Sequence, residues 1–171
     1  MKGYCHVYTG NGKGKTTAAF GLALRAIGAG YRVYIGQFVK GMEYSELHAF
    51  TLLGDAVTVR QFGRGCFING APVAEDIAAA REGFQEIKEA LFSGHYQVVI
   101  LDEANIATRY GLVHVEELLA LISEKPDAVE LVITGRDADP RVIEAADLVT
   151  EMKEVKHYYK KGVTARKGIE R

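Results

Sequence analysis

The segment Thr9-Gly10-Asn11-Gly12-Lys13-Gly14-Lys15-Thr16-Thr17 holds the residue types that bind a phosphate chain. Gly10, Gly12 and Gly14 let backbone N–H groups converge on phosphate oxygens with no Cβ in the way. Lys15 supplies a point charge, and the Thr16 hydroxyl suits Mg²⁺. A helix beginning here adds the positive end of its dipole. The usual phosphate-loop pattern has a glycine where this chain has Thr9, so the Gly10–Gly14 spacing is one residue tighter. Gly-x-Gly-x-x-Gly is absent, which disfavours a dinucleotide site of the Rossmann kind.

A second candidate lies far along the chain, in Val98-Val99-Ile100-Leu101-Asp102-Glu103. A carboxylate at the C-terminal end of a buried strand opens onto the ligand crevice of a parallel sheet. Beside a phosphate loop it reads as the acidic partner of Mg²⁺, and either Asp102 or Glu103 suits direct ligation. The chemistry implied is that of a nucleoside triphosphate with Mg²⁺. Two further segments follow strands at the same sheet edge: Gln37-Phe38-Val39-Lys40-Gly41, and Thr134-Gly135-Arg136, where Arg136 is within reach of a phosphate.

The elements that must position these residues alternate. Strands are expected at Tyr4–Thr9, Tyr31–Phe38, Val57–Phe62, Gln97–Leu101, Val129–Thr134 and Leu148–Glu154. Helices are expected at Lys15–Ala29, Glu43–Leu53, Ala74–Phe92, Val113–Ser123 and Pro140–Ala146. The helices rest on apolar stripes such as Ile77, Ala80, Phe84, Ile87 and Leu91. Gly54 suits a left-handed helix stop. The alternation predicts an α/β protein with a mainly parallel sheet covered on both faces. With 171 residues, residues 1–171 read as a single domain.

Composition narrows the classes. The chain is 48% hydrophobic and 25% charged, like an ordinary globular protein and unlike a disordered or fibrous one. A net charge of −1 argues against a globally basic nucleic-acid binder. No apolar run approaches the roughly 18 residues of a membrane span, and the N-terminus lacks the apolar core of a signal peptide. Cys5 and Cys66 make no disulfide framework and fit a cytoplasmic location. His6, His48, His95, His114 and His157 are scattered and suggest no metal cluster. Residues 153–171 carry seven Lys and Arg against two acids, so near-neutrality hides an acidic body with a basic tail.

Five strings in order resemble the P-loop family of corrinoid adenosyltransferases: Gly-Asn-Gly-Lys-Gly-Lys-Thr-Thr, Gln-Phe-Val-Lys-Gly, Leu-Asp-Glu, Thr-Gly-Arg and Glu-Met-Lys-Glu-Val-Lys-His. The resemblance runs from Gly10 to Glu170. It implies a RecA-like P-loop fold, and transfer of the 5′-deoxyadenosyl group of ATP to Co(I) of a reduced corrinoid. The corrinoid is cobalamin or cob(I)yrinic acid a,c-diamide, and triphosphate is released. It implies that ATP lies in the loop in the reverse of the usual direction. Gly10, Asn11, Gly12, Lys13, Gly14, Lys15, Thr16 and Thr17 would form the ATP site, with Arg136 near the phosphates. Thr16, Asp102 and Glu103 would hold Mg²⁺, and Lys15 and Glu103 would be catalytic. A flavoprotein reductant and a homodimer belong to the same expectation.

On the corrinoid side, family members carry aromatic residues, including a Trp, in the loop after the third strand. This chain has no Trp, and Phe67 is the candidate for that hydrophobic role, with Phe62 the second. Longer members also carry an arm before the first strand that caps the site. Here that strand begins near residue 4, so the lid is missing or replaced. The basic tail is expected over the active site or the corrinoid side chains. Two rival readings share the loop: a nucleoside kinase, whose zinc cysteines two thiols cannot supply, and a RecA-like ATPase that would use Glu103 to activate water.

Overall fold

The computed structural model describes residues 2–41, 44–63 and 71–170. Its strands are β1 (Cys5–Thr9), β2 (Val33–Phe38), β3 (Val57–Phe62), β4 (Val98–Asp102), β5 (Glu130–Thr134) and β6 (Leu148–Glu151). Its helices are α1 (Lys15–Gly28), α2 (Ser45–Thr51), α3 (Ala74–Phe92), α4 (Ala104–Arg109), α5 (Val115–Glu124) and α6 (Pro140–Ala145). The strands form one sheet in the order β3-β2-β4-β5-β1-β6, and every neighbouring pair is parallel. Every residue of β2 and β4 is buried, as strands covered on both faces must be.

Side chains alternate across the sheet, so successive residues of one strand serve opposite layers. Val98 and Ile100 pack with Ala19, Phe20 and Ala23 of α1 and Phe50 of α2. Val99 and Leu101 pack on the other face with Ala80, Phe84 and Ile87 of α3 and Leu118 of α5. The expected α/β architecture, with one parallel sheet and helices on both faces, is the one observed.

The differences are local. The stretch after Asp102 reads as a loop in sequence but holds α4, whose six residues are too short to show a helical period. The next helix starts at Val115 rather than Val113. His114 is extended and its N–H donates to Glu117 Oε2 at 2.9 Å, an acidic clasp at the N-terminus. The last strand stops at Glu151 because Met152 turns toward the phosphate loop, where its carbonyl accepts the Gly12 N–H. Gly54 takes a left-handed conformation at φ 58°, but it does not stop α2, which ends at Thr51 with Leu52 in the right-handed region.

The order of strands builds the site. Segments leaving β1, β5, β4 and β2 at their C-terminal ends are lateral neighbours. The phosphate loop, Thr134, Asp102 and Gln37 therefore share one edge. Gln37 and Asp102 stand directly opposite in the register.

Candidate functional site

The loop from β1 into α1 presents a row of free backbone N–H groups, the geometry a phosphate cradle requires. Among the described residues, no acceptor takes the N–H groups of Lys13, Gly14, Lys15, Thr16 or Thr17. The first amide engaged is Ala18, on the Gly14 carbonyl at 2.7 Å. The first turn of any helix leaves such donors unused, and here no side chain caps them. Gly14 precedes the helix at φ 122°, a conformation that L side chains rarely adopt. Gly12 is needed for another reason: a Cβ there would lie 2.6 Å from the Met152 carbonyl oxygen.

The polar side chains of the loop take different places. Lys15 is buried, and its Nζ donates to the carbonyls of Gly10 at 2.7 Å and Gly12 at 2.8 Å. Burial, then the nearby Arg136 charge, lowers its pKa against the pull of Glu103. Lys13 is exposed and turns to the C-terminal tail, donating to Glu170 Oε1 at 2.8 Å and the Ile169 carbonyl at 3.0 Å. Asn11 and Thr17 are exposed. The Thr16 hydroxyl donates to Asp102 Oδ1 at 2.8 Å.

Asp102 is the centre of the site. It is fully buried. Oδ1 accepts from Thr16 and from Thr134 Oγ1 at 2.7 Å, and Oδ2 accepts from Gln37 Nε2 at 3.0 Å and Lys40 Nζ at 2.7 Å. Burial alone would push its pKa up. The Lys40 charge, with the Lys40, Thr134 and Gln37 hydrogen bonds, outweighs that and holds it below the usual carboxylate range. A polar chain runs on outward, Gln61 Nε2 donating to Gln37 Oε1 at 3.1 Å.

Glu103 is the counterpart of Asp102. It sits at φ 60° as the residue before α4, and its backbone N–H donates to Thr134 Oγ1 at 3.0 Å. Among the described residues no donor reaches its carboxylate. Burial, then the Asp102 charge, raises its pKa. An unpartnered, half-buried carboxylate beside a hydroxyl is suited to a hard cation, which takes oxygen ligands and keeps waters. Among the described residues no cluster of three His, Cys, Asp or Glu side chains gathers.

Arg136 follows Thr134 at the mouth of the site and is exposed, with its charge felt at Lys15 and Glu103. Behind it, buried Asn105 donates to the Gly135 carbonyl at 3.2 Å, fixing that turn against α4. Phe62 packs on Phe38, ring centroids 6.1 Å apart, in the layer facing α3. Phe67 and Cys66 lie outside the described residues. The sequence pointed to the segments holding Gln37, Lys40 and Thr134 but gave these three residues no role. Their convergence on Asp102 depends on strand order, and the signal available was that both segments follow strands.

Fold and loop together define a parallel α/β protein of the P-loop kind, with a glycine-rich turn between β1 and α1. The sequence of residues 1–171 matches the family described as ATP:corrinoid adenosyltransferase BtuR/CobO/CobP. It is 39% identical to the corrinoid adenosyltransferase of Pseudomonas aeruginosa, over 99% of this chain and 84% of that one. It is 37% identical to the Escherichia coli corrinoid adenosyltransferase, over 99% and 86%. Against the Salmonella typhimurium corrinoid adenosyltransferase CobA the identity is 34%, over 99% and 86%. The chain belongs to the ATP:corrinoid adenosyltransferase family. It is accordingly a transferase with ATP as co-substrate, and the kinase and ATPase readings give way.

Proposed function

We propose that Gly10–Thr17 hold the triphosphate of ATP as a leaving group, while Co(I) of a reduced corrinoid attacks C5′. The Co–C bond forms with the cobalt electron pair. The C5′–O5′ bond breaks, and its pair leaves on the triphosphate. Since Co(I) is itself the nucleophile, no protein base is needed. The protein's part is to stabilise charge that grows on the departing oxygens.

The observation that carries this reading is the row of unengaged N–H groups from Lys13 to Thr17, with the Lys15 ammonium beside it. Amides fixed by a helix start need no reorganisation as charge develops. Arg136 adds an exposed positive charge at the mouth. The Thr16 hydroxyl and the Glu103 carboxylate are the proposed protein ligands of Mg²⁺. Asp102, with both oxygens engaged, supports them through Thr16. When bound, Mg²⁺ neutralises triphosphate charge.

The chain is proposed to act as a single domain, with a flavoprotein as electron donor and as a homodimer, on the family resemblance alone. No helix among the described residues is long and apolar enough to cross a membrane. A cytoplasmic location, and a role for Phe67 against the corrinoid, belong to the same proposal. An anaerobic assay with ATP and reduced corrinoid tests it. One Co–C product should appear per inorganic triphosphate released. ADP and phosphate formed without corrinoid would contradict it.

A further inference from the structure

Lys40 is built into the site more firmly than a surface lysine requires. Its side chain is only 13% exposed, and its ammonium meets Asp102 Oδ2 at 2.7 Å. The residue before it, Val39, sits at φ 57°, costly for a β-branched side chain. The exit of β3 closes on it from the other side. A Cβ at Gly63 would lie 2.6 Å from the Lys40 backbone nitrogen. The Tyr44 ring lies 5.2 Å from the ammonium. Strain, close approach and an ion pair thus agree on where the ammonium sits.

That place matters because of what shares the carboxylate. Thr16 takes one oxygen of Asp102 and Lys40 takes the other. The ammonium is therefore one carboxylate away from the first turn of α1, which carries the unengaged amides of Lys15, Thr16 and Thr17. An ammonium has three donors, and Asp102 receives one of them.

We propose that Lys40 is a further phosphate-binding residue of this enzyme, its ammonium fixed by Asp102 to meet the same triphosphate as Lys15. This rests on reading Gly10–Thr17 as the triphosphate site. Lys40 would oppose the charge gained by the leaving triphosphate from the side of β2, as Lys15 does from the loop. The competing account gives Lys40 one task, neutralising buried Asp102.

Calorimetric binding of inorganic triphosphate in Mg²⁺ buffer separates the two. Lys40→Met should bind it at least about tenfold more weakly than the wild type, the worth of one charge-assisted hydrogen bond, and Lys40→Arg should restore most of that. Wild-type affinity in Lys40→Met, with a lowered melting temperature, would overturn the proposal and leave only the neutralising role. Should Lys40→Met fail to fold, Asp102→Asn removes the need for a counter-charge. Lys40→Met on that background should then still weaken binding by about tenfold, and equal affinities would overturn the proposal. Absence of triphosphate binding by the wild type would instead strike the site reading itself.

Discussion

Asp102 bears its charge with no access to water, so the groups around it decide what it can do. Thr16, Thr134, Gln37 and Lys40 occupy its oxygens, which makes it an organiser of neighbours. Glu103, whose carboxylate meets no donor among the described residues, is the one we propose as the direct Mg²⁺ ligand. The sequence left these two adjacent acids equivalent, because only three-dimensional partners distinguish them. Lys15 has the opposite task, and Lys15→Ala should cut turnover at least about tenfold, equal to about 1.4 kcal/mol of leaving-group stabilisation. A steady-state rate near wild type would count against its role. Cys5, at the start of β1, offers a test by pH. Burial, then the Asp147 charge, pushes its pKa from 9.0 up to about 12. The raised value means the folded thiol keeps its proton while the unfolded one loses it. Its contribution is complete below pH 9 and is lost as pH rises toward 12, at up to about 1.4 kcal/mol per unit. Urea melts should show that loss in the wild type and a shallower one in Cys5→Ala.

At the scale of elements, the phosphate loop is gripped from both sides. Helix α1 grows from it, and the segment after β6 lies across it through Met152 and Glu170. The Lys13–Glu170 contact joins residues 157 positions apart, which no local pattern could reveal. The basic tail was expected over the active site or the corrinoid side chains; of its residues, Tyr158, Ile169 and Glu170 reach Lys13 of the loop. Glu170→Gln should release Lys13 and speed amide hydrogen exchange in residues 158–170. The Gly12 amide should stay protected by the Met152 carbonyl. Unchanged exchange in the tail would show that Glu170 does not hold it. Helix α3 meets the sheet at close range, since a Cβ on Gly83 would lie 2.1 Å from Phe62 Cγ. Gly83→Ala should cost about 1–3 kcal/mol in chemical denaturation by overpacking. A neutral result would mean that Phe62 moves freely. The long helices were legible from their period and the buried strands from their apolar runs, whereas α4, as short as α6, lacks the Asp139-Pro140 start signal that marks α6.

At the scale of the whole molecule, strand order does what no string of residues shows. Local patterns reveal that a phosphate loop follows one strand and an acid ends another. They do not reveal that β5 lies between those strands, or that β2 lies beyond. That order brings Thr134 from one side and Gln37 with Lys40 from the other onto a single carboxylate. The site is thus one row of strand ends, with phosphate donors toward β1 and positive charge entering from β2. This row is proposed to expel an intact triphosphate from C5′. That expulsion is tested by giving the enzyme ATP with a heavy-oxygen label at the O5′ bridge, together with reduced corrinoid, and analysing the products by mass spectrometry. The label should appear in inorganic triphosphate in step with the Co–C product. Label kept on the nucleoside, or ADP with phosphate as the products, would contradict it.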